Sequence, residues 1–443
     1  MRIERPLLIT VLMLALCGPA RAQFPSASPS AATKPKESDV PLRKPPPQDD
    51  VDVRVEDMKL LEPGIGWAEL SVDLPSELKP ENVIYWTTDN GKHWRNITPP
   101  RTHKEHLSAF FFLDTHHGWA LFDWPEEELK AEEVANLRKL RLSLAATSDG
   151  GATWSKTPLT LRLADYFTKE GFSGLNSVDE DSIAFADQLH GWLLLPFSGF
   201  PHVQESLLLI TSDGGNIWRE ANNDPGPGSP QMLPVTPNEG WLSGAVGPDY
   251  TTCLFVTRDG TKSWQGISTS LSESCSPDES HEMFVQPSEN FMPGNCDVYG
   301  LPIFQDPTHG FLEEDCVSDE AHRDNSTHTT VLFATTDGGR TWKEDRMLRN
   351  FAGLCNSSTV VDSVWIAPVK HGGHLVLLRV EAGATLDAGK DNGSNSQDST
   401  LCDTRLSFVT PAQGWMLADH SVLQSTTDGG RTWTTITPGG NHK

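Results

Sequence analysis

Six aspartates stand in one recurring frame, T-x-D-x-G-x-x-W, with Thr261 in the glycine place of the fourth copy: Asp89, Asp149, Asp213, Asp259, Asp337 and Asp428. Each is followed by a tryptophan at a fixed distance, in turn Trp94, Trp154, Trp218, Trp264, Trp342 and Trp433. A carboxylate repeated in this way has two uses, proton or charge chemistry in a reaction, or hydrogen bonding within a turn. The frame points to the second. In TTDGGRTW, present whole at 335–342 and again at 426–433, the Asp can accept the N–H groups just after it and glycine supplies positive φ. The Thr hydroxyl can bond back across the turn, and the Trp places an apolar plate between strands. Burying ~150–250 Å² of indole at about 25 cal/mol per Å² is worth roughly 4–6 kcal/mol per copy, an upper bound.

Other residues of chemical type lack the spacing that chemistry needs. His281-Glu282 has no second His to complete H-E-x-x-H, and His103 with His106 has no matching third ligand. Residues 387–398, DAGKDNGSNSQD, are as oxygen-rich as a calcium loop, but no Glu stands at the twelfth position. They read as a polar loop. No G-x-S-x-G occurs, and Tyr85, Tyr166, Tyr250 and Tyr299 have no evident acid–base partner. His117, His190 and His309 each precede a glycine at a tight turn and read as turn chemistry. The expectation is no catalytic residue, no metal and no cofactor.

The elements that must position the aspartates follow from a second landmark. Ahead of the turns stand GIGWAEL, HHGWALF, HGWLLL, EGWLSG, HGFLEE and QGWMLA, beginning at residues 64, 116, 190, 239, 309 and 413. They carry Trp67, Trp119, Trp192, Trp241 and Trp415. Short alternating apolar runs flank both landmarks. One unit therefore reads strand, turn at H-G, strand, connection, strand, turn at D-G-G, strand. Four antiparallel strands per repeat predict an all-β chain folded as a single β-propeller. The turn aspartates are 60, 64, 46, 78 and 91 residues apart, so the last gap holds two units. Trp365 takes the G-W place in the unit without a T-x-D turn, which makes seven blades. Six is the alternative if that segment is only an insertion.

Residues 1–22 read as a secretory signal: Arg2 and Arg5 precede an apolar run from Leu7 to Cys17, and ARA stands at 20–22. Residues 23–50, rich in Pro, Ser and charge, read as a disordered linker, 51–437 as the propeller, and 438–443 as a tail. The expected location is the periplasm or the medium, with no transmembrane segment. Removing the signal leaves six cysteines, Cys253, Cys275, Cys296, Cys316, Cys355 and Cys402, an even number suited to disulfides, with Cys355 and Cys402 the favoured pair. The same cut takes the formal charge from −25 to −27, because it removes three arginines and one glutamate. So acidic a surface argues against a nucleic-acid partner.

The T-x-D-x-G-x-x-W frame resembles the Asp-box, or bacterial neuraminidase repeat, of sialidases, sortilin-type receptors and some xyloglucan hydrolases. The pairing of GWA with TTDGGRTW is more similar to the photosystem II stability and assembly factor family and its bacterial relatives, over nearly the whole mature chain. That resemblance implies a propeller, often seven-bladed, that works by binding. Members carry a basic patch where this chain is acidic, so only the architecture carries over. A sialidase would bring an arginine cluster, an Arg-Ile-Pro motif and a Tyr nucleophile with its Glu, a set this chain does not show.

The short turns lie on one face, so the long connections must open on the other. Those read from the sequence are 123–138, with the composition of a short helix, 196–206, 265–300 and 313–330. Two are acidic, through Glu126, Glu127, Glu128, Glu132 and Glu133 and through Glu313, Glu314, Asp315, Asp319 and Glu320, and would suit a basic protein segment or a divalent cation. The expected function is a non-catalytic scaffold, monomeric, that binds another exported protein with a basic segment on this face. The alternative is a carbohydrate-active enzyme or lectin.

Overall fold

Alternating apolar runs broken by Gly- and Asp-rich turns produce an all-β molecule. The structure, a computed structural model, describes residues 52–73, 80–102, 105–123, 142–162, 182–198, 204–222, 228–246, 251–267, 285–286, 296–298, 300–317, 328–349, 357–371, 374–387, 404–418 and 422–439. Blade 1 holds β1 (Asp52–Glu62), β2 (Ile65–Asp73), β3 (Glu81–Thr87) and β4 (Arg95–Asn96). Blade 2 holds β5 (His106–Phe112), β6 (Gly118–Asp123), β7 (Ser143–Thr147) and β8 (Ser155–Pro158). After β9 (Thr160–Arg162) comes blade 3: β10 (Ile183–Phe185), β11 (Gly191–Ser198), β12 (Gln204–Thr211) and β13 (Ile217–Glu220). Blade 4 holds β14 (Gly228–Pro234), β15 (Gly240–Val246), β16 (Thr251–Thr257) and β17 (Trp264–Ile267), with β18 (Val285–Gln286) beyond it.

In blade 5 the first strand is split into β19 (Cys296–Val298) and β20 (Ile303–Phe304), which both pair β21 (Gly310–Val317); β22 (His328–Thr335) and β23 (Lys343–Arg349) complete it. Blade 6 has β24 (Thr359–Val361), β25 (Val364–His371) and β26 (His374–Glu381), followed by β27 (Thr385–Asp387). Blade 7 holds β28 (Thr404–Phe408), β29 (Gly414–Ala418), β30 (Val422–Thr426) and β31 (Thr434–Thr435). The seven blades form a ring, a seven-bladed β-propeller, and the six-bladed alternative falls. Trp365, fully buried on β25, holds the place of the G-W tryptophan in the blade without a T-x-D turn.

Within blades the pairing is antiparallel, but three outer edges gain a parallel strand: β9 on β13, β18 on β17 and β27 on β23. The last is a departure from four strands per blade. β27 follows blade 6 in the chain yet hydrogen-bonds to blade 5, which leaves β24-β25-β26 as a three-stranded sheet among the described residues.

The core lies between blades, as one apolar cluster per junction. Trp119, Phe185, Leu193 and Trp218 pack between blades 2 and 3, and Trp241, Leu254, Leu312 and Phe333 between blades 4 and 5. The strand-two tryptophans carry most of this packing: Trp67, Trp119, Trp192, Trp241 and Trp415 are all buried. Of the turn tryptophans Trp218 and Trp264 are buried, while Trp94, Trp154, Trp342 and Trp433 are partly buried and pack against the same clusters. The G-W tryptophans are therefore buried more completely than the turn tryptophans, and both sets pack into the junctions.

Candidate functional site

Each T-x-D turn closes by the same hydrogen bonds. The Thr hydroxyl donates to the Asp at 2.8–3.1 Å in all six copies, from Thr87, Thr147, Thr211, Thr257, Thr335 and Thr426. The same hydroxyl accepts the N–H four residues on, at 2.9–3.1 Å, from Gly91, Gly151, Gly215, Thr261, Gly339 and Gly430. The Asp Oδ1 accepts the N–H four residues beyond itself, of His93, Thr153, Ile217, Ser263, Thr341 and Thr432. Its Oδ2 takes a hydroxyl from Thr153, Ser263, Thr341 or Thr432, or His93 Nδ1 in blade 1.

These bonds set the electrostatics. Burial works against ionisation at Asp89 and Asp337, and the donors around each outweigh it, holding both carboxyls down at about 2. At Asp149 and Asp428 the Thr153 and Thr432 hydroxyls and N–H groups lead, again to about 2. Asp213 and Asp259 are lowered in the same way against partial burial.

The first turn of blades 2, 3, 4, 5 and 7 is built on a second carboxylate or hydroxyl that the sequence reading passed over. Asp114, Asp187 and Asp306 accept the N–H groups two and three residues on and pair with His117, His190 and His309 through Nδ1 at 2.8–3.1 Å. Thr236 and Thr410 do the corresponding work in blades 4 and 7. The signal was present: D-x-x-H-G recurs in DTHHG, DQLHG and DPTHG.

The two turns of a blade are joined. In six blades the N–H of the residue after the turn aspartate donates to a first-turn carbonyl: Asn90 to Gly64, Gly150 to His116, Gly214 to Leu189, Gly260 to Asn238, Gly338 to Thr308 and Gly429 to Ala412. Both short turns thus share one end of the propeller. That end is also latched from blade to blade. Arg95 donates to Gly150 O, Trp119 Nε1 to Gly214 O, Arg258 to Gly339 O at 2.9 Å, and Arg379 to Gly429 O and Pro411 O. Trp415 Nε1 donates to Asn90 Oδ1, and Arg340 pairs with Glu239 of the preceding blade. Burial first, then the nearby Arg340, push Arg258 below the ordinary arginine range, against Glu239 and Asp337.

Glu105 is a further carboxylate gathered away from these turns. It accepts from Thr102, Ser143 and Lys156, whose ammonium also sits 3.7 Å over the Phe122 ring. Burial opposes the charge on Glu105, but these donors bring it to about 2. A glycosidase acid must be held above its ordinary range in order to give up a proton near neutrality. Glu105, the six turn aspartates and Asp114, Asp187 and Asp306 are all displaced the other way. Among the described residues, no three His, Cys, Asp or Glu side chains form a group that could hold a metal ion.

The expected acidic face meets the structure only in part. Glu126, Glu127, Glu128, Glu132, Glu133, Asp319 and Glu320, the helix expected from residue 123 and the polar loop within 388–398 lie outside the described residues. Glu313, Glu314 and Asp315 belong to β21, not to a connection, because the alternation of that strand runs on past Leu312 into register with β22. Glu314 is fully buried, and Glu313 takes the Ser358 hydroxyl. Likewise β11 and β12 extend through Ser198 and from Gln204, which trims the connection expected over 196–206. Cys253 is buried and disulfide-bonded. Cys296 and Cys316 are register partners on β19 and β21, while Cys275, Cys355 and Cys402 lie outside the described residues, and with them the favoured pair.

No protein-family model matches this chain, and no curated protein matches it. Among solved structures it is similar to YCF48 bound to D1 peptide, with 19% identity over 76% of this chain and 86% of that one, at a TM-score of 0.37. It is similar to the Hadza microbial sialidase Hz136, with 13% identity over 85% of this chain and 65% of that one, at 0.42. A polysaccharide lyase, the PL25 ulvan lyase, follows with 9% identity over 87% and 93%, at 0.37. These likenesses stop at the propeller architecture that the strand order already shows.

Proposed function

We propose that this chain is an exported, non-catalytic propeller that binds another protein through the end opposite its T-x-D turns. One observation carries the reading: the six T-x-D turns and their first-turn partners are wired inward, to themselves and to the next blade. Carboxylates and glycine carbonyls engaged in this way are girders, and binding residues concentrate on the loops such a frame holds. Antiparallel topology sends every other connection to the opposite end. There the sequence places its acidic stretch at 126–133, suited to a basic segment of a partner protein. The turns themselves are read as Asp boxes, in keeping with their frame.

The test is charge reversal of Glu126, Glu127, Glu128, Glu132 and Glu133 to lysine, followed by crosslinking and capture from the exported fraction. The expected result is loss of specific partners that the parent chain captures. Unchanged partners would remove this face from the reading. Turnover of sialosides or xyloglucan by the parent chain would replace the scaffold with an enzyme.

A further inference from the structure

Among the described residues, six of the seven outer blade edges are closed or blunted. Blades 3, 4 and 5 are covered by the parallel strands β9, β18 and β27. Blades 1 and 7 end in two-residue strands, and β8 of blade 2 is four residues long and ends at Pro158. Blade 6 differs. Its outer strand is β26, eight residues reading HLVLLRVE, and no described strand pairs its far side because β27 has crossed to blade 5. A long apolar edge is what natural sheets otherwise avoid.

The register identifies which groups point outward. β24 and β25 join at Val361 and Val364 through a two-residue turn, which makes that a hydrogen-bonded pair. The alternation then puts Val364 opposite Glu381, Ile366 opposite Arg379 and Pro368 opposite Leu377 in non-bonded pairs with β26. Pro368, which has no N–H, fits there. The N–H and C=O of Leu377 and Arg379 therefore face away from β25. Glu381 confirms the phase, since its outward carbonyl accepts Ala384 N–H. No described backbone group bonds to Leu377 or Arg379 on that side.

We infer that this edge takes an extended segment of another protein, which completes blade 6 as its missing fourth strand. The inference deepens the scaffold reading but places contact at the rim, away from the long connections. The chain's own spare segments are poor strand material: 388–403 reads AGKDNGSNSQDSTLCD, and 23–50 is proline-rich. Charge gives the occupant its chemistry. Arg379 on this strand is turned to the Gly429 and Pro411 carbonyls, and buried Arg346 behind it to Asp345 and Val380 O, while Glu381 is exposed in a chain of formal charge −25. Val376 stands exposed on the strand as an apolar contact. The fitting segment alternates apolar residues with basic ones.

The probe is a labelled eight-residue peptide alternating valine and lysine, read by fluorescence anisotropy on the full chain. The expected result is saturable binding that weakens about tenfold or more with Leu377→Pro, which deletes one outward N–H but no bond to β25. Val376→Lys, at an exposed position, should do the same if the proline variant fails to fold. Methylating alternate peptide nitrogens should abolish binding, which separates strand pairing from simple charge attraction. The charge-reversed 126–133 variant should bind the peptide unless its fold is lost, so the two readings fail separately. No binding, binding indifferent to these changes, or a dimer that Val376→Lys dissolves would each overturn the inference, the last by showing a second copy as the occupant.

Discussion

At the scale of single residues the turns explain why particular side chains recur. Gly339 has φ +75, and a Cβ there would stand 2.5 Å from Trp241 Cζ2. Gly339→Ala should cost roughly 2–4 kcal/mol, about 1 from the left-handed backbone and the rest from overpacking. Gly383, at φ +73 with nothing within 4 Å, supplies the control, and alanine there should cost only the backbone part in a urea titration. Blade 4 carries the exception, Thr261 at φ 68, with its hydroxyl buried and without a hydrogen-bond partner. Thr261→Gly relieves both and should raise stability by about 1 kcal/mol, after the glycine's greater unfolded entropy is set against the gain. The aspartates add a pH dependence. Their folded pKa values lie below the unfolded ones, so their contribution is complete above about pH 4 and fades as pH falls toward about 2. Urea midpoints at pH 7, 4 and 2.5 should drop only over the last interval, and less steeply in Asp337→Ala.

At the scale of elements, what was legible in the sequence depended on how far a residue's partner lies along the chain. The T-x-D turn could be read because its donors and acceptors all fall within a few residues, and the 91-residue gap revealed the seventh blade because one full unit could not fill it. D-x-x-H-G was equally local, and the reading stopped one step short, at H-G. The latches were out of reach. Arg258 and Gly339 are 81 residues apart, and nothing near Arg258 names its acceptor. Acidic residues in a strand mislead in another way, because Glu313 and Glu314 look like a solvated loop until β22 is laid beside them. The crossing of β27 to blade 5 could not be foreseen, since three residues reading TLD carry no mark of the edge they join. The latches make their own prediction. Arg379→Met keeps the stem but leaves the Gly429 and Pro411 carbonyls without this donor, and should cost about 2–3 kcal/mol by chemical denaturation. Arg95→Met, which loses a single bond of 3.2 Å, should cost less.

At the scale of the whole molecule the open question is how a ring of seven sheets stays shut. Among the described residues, blade 1 is built from β1 to β4 and blade 7 from β28 to β31, with no strand exchanged across the joint. Closure rests on side chains. Arg405 pairs with Asp57 at 2.7 Å, Leu60 N–H donates to Ser407 Oγ at 2.9 Å, and Trp415 Nε1 donates to Asn90 Oδ1 at 2.8 Å. Beneath them Val55, Met58, Leu60, Leu70, Trp415 and Leu417 form one apolar cluster. Blades that touch only their neighbours behave approximately as a chain of coupled units, so the joint without a connecting loop is where coupling is cheapest to break. Trp415→Ala removes the central plate of that cluster together with its hydrogen bond, and should cost about 3–5 kcal/mol. The loss should not be uniform: amide exchange ought to quicken first in β1–β4 and β28–β31, while blades 3 and 4 keep the parent protection. If all seven blades lose protection together, the ring opens as one cooperative body, and the joint between first and last blades is as strong as those the chain passes through.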